Sequence, residues 1–157
     1  MILFHGYSDA SYANINDSNF TSRYVFLSGG GAITWRSKKQ STVALSSTEA
    51  EYIAISEAGH EACWLRSLYK ELGEPQNSPI IIRGDNKGSI AMTQNPQFHK
   101  RAKHISTHWH WICNLVENET VAIKSCRDPD QTADVFTKAL PQVKHKKHSI
   151  EMGLVTV

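Results

Sequence analysis

The sequence predicts an α/β fold, a mixed β-sheet with helices covering it in one layered system. Two observations carry that prediction. Residues 47–72 form a long run in which Ala50, Ala54, Ala58, Ala62, Leu65, Leu68, Tyr69 and Leu72 return at helical spacing and make one apolar stripe. Around this run stand short β-prone segments separated by turn residues, among them Ile80-Ile81-Ile82, whose unbroken apolar character suits a strand covered on both faces. The elements follow in the order three strands, helix, strand, two helices, strand, helix.

Residues 2–12 read as the first strand, and a polar loop rich in Asn, Asp and Ser runs from Asn14 to Ser22. Tyr24-Val25-Phe26-Leu27 is the second strand. Gly29-Gly30-Gly31 breaks it, and Ala32-Ile33-Thr34-Trp35 resumes it or begins a third. The glycines permit a bulge or turn between antiparallel strands. They do not form a phosphate-cradling loop, because neither a helix nor Gly-Lys-Ser/Thr follows. Residues 36–40 read as a basic turn and residues 41–45 as another short strand. Ser46 and Glu49 have capping-box spacing at the start of the long helix, and Gly73 with Pro75 stops it. Residues 87–94 form a short helix ended by Asn95-Pro96. Residues 104–118 form a further helix with Ile105, Trp109, Ile112 and Val116 inward. Residues 121–125 are the last strand, Asp128-Pro129-Asp130 is a turn, and residues 132–140 are a closing helix stopped by Pro141. One domain over residues 1–157 is expected, with its core at about 2–140 and a basic tail over 141–157.

A chain of 157 residues is long enough to bury a real core. No apolar run reaches membrane-spanning length, and the start has neither a basic leader nor a signal-type apolar stretch, so an intracellular protein is expected. Cys63, Cys113 and Cys126 are odd in number and widely spaced, which reads as reduced structural thiols. The net charge is only +2, which excludes a uniformly basic nucleic-acid coat and leaves local patches to carry any polyanion contact.

Glu51 is the residue that stability does not explain. At about 100° per residue it falls within roughly 40° of the centre of the apolar stripe, whereas Glu49 falls on nearly the opposite face. A carboxylate aimed at a core is unfavourable unless a cation meets it. Three more acids stand in comparable places: Asp9 inside the first strand, Asp85 at the carboxyl end of an apolar strand, and Asp134 in the first turn of the closing helix. Taken singly, Asp85 also suits an N-cap and Asp134 a helix dipole. Together, four converging carboxylates call for hard cations, and Mg²⁺ takes oxygen ligands of this kind. Two such ions about 4 Å apart serve phosphodiester cleavage.

The segments Gly6-Tyr7-Ser8-Asp9-Ala10-Ser11, Gly29 to Trp35, Ser37-Lys38-Lys39-Gln40, Ala44 to Tyr52, Asp85-Asn86, Asn95-Pro96, Phe98-His99, Lys103-His104-Ile105 and Asp130 to Lys138 resemble, in order, the ribonuclease H domain of copia-type LTR retrotransposon polyproteins. The resemblance covers nearly the whole chain. It implies a ribonuclease H-like fold with a five-stranded mixed sheet flanked by helices. It also implies endonucleolytic hydrolysis of the RNA strand of RNA–DNA hybrids during reverse transcription, with two Mg²⁺ ions and Mn²⁺ as a substitute. The catalytic, metal-holding acids it implies are Asp9, Glu51, Asp85 and Asp134, with Asp9 shared between both ions. The implied partners are the hybrid and the reverse transcriptase domain of the same polyprotein, and the implied setting is a cytoplasmic retrotransposon particle. The chain departs from the pattern in three places. No histidine stands in loop 127–131, where cellular ribonucleases H carry one. Arg23 replaces a usual glycine, and Ser106 a usual acid; both read as drift.

Arg36, Lys38 and Lys39, then Lys100, Arg101 and Lys103, are candidate phosphate contacts or simply solvated faces. Ser11, Ser46, Ser47 and Asn86 are candidates for 2′-hydroxyl contacts. His104, His108 and His110 lack the acid and third ligand of a zinc site and read as a partly exposed helix face. Two rivals stand beside the nuclease: a domesticated or degenerate fold acting as a non-catalytic nucleic-acid or protein-binding module, and a DNA-cutting enzyme of integrase or resolvase type.

Overall fold

The computed structural model describes residues 3–12, 19–95, 110–136 and 139–154. Strands β1 (Phe4–Tyr12), β2 (Phe20–Ser28), β3 (Gly31–Lys39), β4 (Ile80–Gly84) and β5 (Val121–Ser125) form one sheet in the order β3-β2-β1-β4-β5. β1 pairs antiparallel with β2, and β2 with β3; β1 pairs parallel with β4, and β4 with β5. This is the expected five-stranded mixed sheet. Helix α1 (Ser47–Glu71) covers it, α2 (Lys87–Gln94) and α3 (Trp111–Glu117) precede β5, and α4 (Gln142–Glu151) follows.

Alternation along the strands divides the core in two. On the α1 face, Phe4, Tyr24, Phe26, Ile82 and Ile123 pack with Tyr52, Ile53, Ile55 and Ile112. Each such side chain contributes about 1.5–3 kcal/mol by leaving water. On the other face Val25 and Leu27 pack with Ala133, Tyr7, Phe136 and Met152. β2 is therefore buried on both sides for nearly its whole length. Gly59 lets α3 come close to α1, since a Cβ there would lie 2.5 Å from Ile112 Cδ1. In the same way Gly6 makes room for the ring of Phe26.

The cap of α1 is as predicted: Ser46 Oγ accepts from Glu49 N at 3.2 Å, and Glu49 Oε2 accepts from Leu45 N at 2.7 Å. Gly73 ends the helix with φ +81°. Several expectations are corrected. Residues 36–39 are not a turn but the second half of β3, paired with β2 from Thr21 to Tyr24; a register shift at Phe26/Leu27 lets the strand run on. Residues 41–45 are not a strand, because β3 already closes the edge. Leu72 leaves the stripe: it lies one residue past the end of α1 and is exposed. Ile81 is half-buried, so β4 is fully covered only on the side of Ile80 and Ile82.

The largest correction is at the C-terminal end. The expected closing helix over 132–140 is only a 3-10 turn, Thr132–Phe136, entered through an i→i+3 bond from Asp134 N to Gln131 O at 3.2 Å. Pro141 does not stop a helix; it stands immediately before α4, at its N-cap position. The segment read as a tail is thus helical through residue 151, and Met152 O accepts from Ala32 N of β3 at 3.0 Å. The helix was hidden because only His148 of its residues is buried, leaving no apolar period to see. Of the helix expected over 104–118, α3 accounts for Trp111–Glu117, while Ile105 and Trp109 lie outside the described residues.

Candidate metal centre

Three of the four predicted acids meet. Carboxylate oxygens of Asp9, Glu51 and Asp85 lie within 4.8 Å of one another. The order of the sheet makes this possible. β1, carrying Asp9, and β4, which ends one residue before Asp85, are parallel neighbours, and α1 brings Glu51 across them. Asp85 does not cap α2; Asn86 does, its side chain accepting from Ser89 N at 2.9 Å. Glu51 is buried because it lies in a stretch of α1, Ala50 to Ser56, in which every residue is buried.

The acids of the cluster act on one another's ionisation. Burial pushes the Glu51 carboxyl up to about 9, and the charges of Asp9 and Asp85 add to the effect against a hydrogen bond from Ala10. Burial also pushes the Cys126 thiol up to about 11, with Asp85 the next cause. Such a set of hard oxygen donors fits a divalent cation, which would favour the ionised form of each acid.

Asp134 is fully buried but stands outside this group of three. It sits in the 3-10 turn, and Lys144 Nζ of α4 donates to its Oδ2 at 3.0 Å. Burial works against the Lys144 charge, yet Asp134 and Asp128 overcome it and hold the ammonium above its ordinary value. Helix-dipole stabilisation does not account for Asp134, which has no α-helix of its own.

Arg23 is not neutral drift. It lies opposite Asp9 in the β1–β2 register, is 1 % exposed, and its Nη1 donates to Asp9 Oδ2 at 2.7 Å. Its Nη2 donates to Ser11 Oγ at 2.6 Å, so this serine is engaged inside the protein. Two buried glutamines brace the surroundings. Gln40 Nε2 donates to Ser22 Oγ and to Ala50 O, at 2.8 and 2.9 Å, fixing the start of α1. Gln131 Nε2 donates to Ser8 O at 2.9 Å, tying the 3-10 turn to β1. Sequence reasoning missed Gln40, Gln131 and Lys144 as site-building residues. Register would have exposed Arg23, but register becomes visible only once the strands are paired.

Of the candidate nucleic-acid contacts, Arg36, Lys38 and Lys39 are exposed along β3, at the edge of the sheet. Ser47 is exposed, while the side-chain oxygens of Ser46 and Asn86 serve as helix caps. Lys100, Arg101 and Lys103 lie outside the described residues, as do Ser106, His104 and His108. His110 Nδ1 is 2.9 Å from Tyr52 Oη. Among the described residues, no helix is long and apolar enough to cross a membrane.

No protein-family model matches the chain. The retrovirus-related Pol polyprotein from transposon TNT 1-94 of Nicotiana tabacum is 38% identical over 143 residues, covering 90% of this chain and 11% of that protein. The Pol polyprotein from transposon RE2 of Arabidopsis thaliana is 38% identical over 157 residues, 99% of this chain and 11% of that protein. A Ty1 Gag-Pol polyprotein of Saccharomyces cerevisiae is 31% identical over 138 residues, 85% of this chain and 8% of that protein. The chain thus spans only about 11% of the length of the plant relatives it matches. Among solved structures, RNase H1 from Halobacterium salinarum superposes with a TM-score of 0.53 at 16% identity, over 83% of this chain and 89% of that one. The N-terminal RNase H domain of a Mycobacterium tuberculosis protein gives 0.52 at 9% identity, over 94% and 95%. The chain belongs to the copia-type Pol polyprotein family, matching one region of those proteins, and it has a ribonuclease H-like fold.

Proposed function

We propose that this region is the ribonuclease H of its polyprotein, an endonuclease that hydrolyses the RNA strand of RNA–DNA hybrids during reverse transcription. The observation that carries the reading is the convergence of Asp9, Glu51 and Asp85, from three separate elements, to within 4.8 Å. These three side chains would hold Mg²⁺, or Mn²⁺ in its place, and Asp134 would join them as a fourth ligand once Lys144 releases it. Bound divalent ions supply an activated water and neutralise charge on the scissile phosphate. The exposed Arg36, Lys38 and Lys39 offer positive charge to the phosphates of the substrate. Ser47, exposed at the head of α1, would supply a 2′-hydroxyl contact. The reverse transcriptase domain of the same polyprotein would deliver the hybrid, within a cytoplasmic retrotransposon particle.

One observation favours a second reading, a non-catalytic nucleic-acid or protein-binding module. Asp9 already has a buried cationic partner in Arg23. A single assay separates the readings. End-labelled RNA–DNA hybrid, duplex DNA, duplex RNA and single-stranded RNA are incubated with the protein at saturating Mg²⁺ or Mn²⁺. Cutting of the RNA strand in the hybrid alone supports the nuclease. Retention of the hybrid without cutting supports the module, and cutting of duplex DNA would point to the integrase or resolvase type.

A further inference from the structure

We infer that Arg23 is a resident counter-cation of the acid cluster, one that competes with a divalent ion for Asp9 and so sets how tightly the cluster takes metal. The inference rests on the reading of Asp9, Glu51 and Asp85 as a metal site, and it goes beyond it by assigning a role to a residue outside the acid set.

Four observations support it. The Arg23 side chain is wholly buried and its Nη1 lies 2.7 Å from Asp9 Oδ2, so one of the two oxygens Asp9 could offer to an ion is already engaged. The guanidinium also feels the charges of Asp134 and Glu51, so its charge acts on more than Asp9 alone. Its Nε is buried with no hydrogen-bond partner among the described residues, which shows that the side chain is not held by a complete network of its own. It is fixed in place by strand register, opposite Asp9 on β2, and cannot swing into solvent as a surface lysine can.

An arginine keeps its charge at any accessible pH, so it stands as a permanent positive neighbour. A divalent ion binding beside it loses affinity through like-charge repulsion and through competition for Asp9 Oδ2. Removing the guanidinium frees that oxygen and leaves Asp9 as a buried carboxylate in need of a cation. Metal then takes over the work of Arg23, both in neutralising the cluster and in stabilising the fold. Arg23 is a positioning residue in this account, acting on the metal through Asp9.

The test is Mn²⁺ binding, followed by calorimetry and by the electron spin resonance of the free ion, together with the melting temperature with and without Mn²⁺. The wild-type protein is compared with R23A and with R23Q; R23Q keeps a hydrogen-bond donor and most of the side-chain volume in case R23A folds poorly. The expected result is Mn²⁺ affinity raised about tenfold or more in both variants. The melting temperature of each variant should also rise further on adding Mn²⁺ than that of wild type. Equal affinity and equal thermal shifts in all three proteins would overturn the role of Arg23 and leave the metal site standing. No Mn²⁺ binding by any of them would overturn both.

Discussion

Asp9 and Asp134 are both buried, and each faces a basic side chain, but the two pairs are built differently. Arg23 reaches Asp9 from the neighbouring strand, and neither side chain is more than 3 % exposed. Lys144 reaches Asp134 from α4, at the surface, with a fifth of its side chain in solvent and a second acid, Asp128, at 3.5 Å. The first pair is held by register and has nowhere to go. The second can open by rotation of a flexible stem, with Asp128 and water ready to take the ammonium. Like chemistry therefore gives a fixed partner at Asp9 and a releasable one at Asp134.

That contrast can be broken at the acids themselves, where the largest effects are expected. Asp9→Asn and Asp85→Asn should each lower Mg²⁺-dependent cleavage of a hybrid by at least about a thousandfold, or ~4 kcal/mol of transition-state stabilisation. Circular dichroism should meanwhile show an intact fold. Lys144→Met should leave cleavage far closer to wild type, and a loss as deep as that of Asp9→Asn would erase the distinction between the two pairs.

Stability sharpens the same contrast. Without metal, Arg23→Ala removes one partner of a fully buried pair and should cost about 3–5 kcal/mol in urea unfolding. Lys144→Met removes a partner that already has a fifth of its side chain in solvent, and about 1–3 kcal/mol is expected. A reversed ranking would mean that burial is not what separates the pairs.

A pH-dependent effect follows from Glu51. Its folded-state proton affinity lies above the ordinary carboxylate value, at about 9. Its contribution to stability is therefore fully present below the ordinary value of about 4.3 and is lost as pH rises through about 9. In metal-free protein this group lowers the melting temperature between those limits, and Glu51→Gln should flatten that part of the profile. Mg²⁺ should flatten it too, with release of a proton that calorimetry in buffers of different ionisation enthalpy would detect.

How far the sequence foretold the molecule depends on what each residue left in the pattern. α1 showed itself through its stripe and its Ser46–Glu49 cap, and Glu51 through its misfit with that stripe. β5 and α2 have the residue bounds that their apolar runs and turn residues predict. α4 was hidden because a Lys- and His-rich helix that buries one histidine has no apolar period, and Pro141 signals a start as readily as a stop. At the site, the convergence of Asp9, Glu51 and Asp85 was foreseeable as a chemical need. The pairs Arg23–Asp9 and Lys144–Asp134 were not, since one depends on strand register and the other on a helix that left no trace.

The central claim, that an acid misplaced on a helix's apolar side belongs to a cation-holding cluster, is tested most directly by two variants that differ by half a turn of α1. Hybrid cleavage at saturating Mg²⁺ should be compared for Glu51→Gln and Glu49→Gln. The account predicts that Glu51→Gln loses cleavage, while Glu49→Gln keeps the wild-type rate and gives up no more than about 1 kcal/mol of stability through its weakened cap. Equal rates in the two variants, or loss on Glu49→Gln alone, would contradict it.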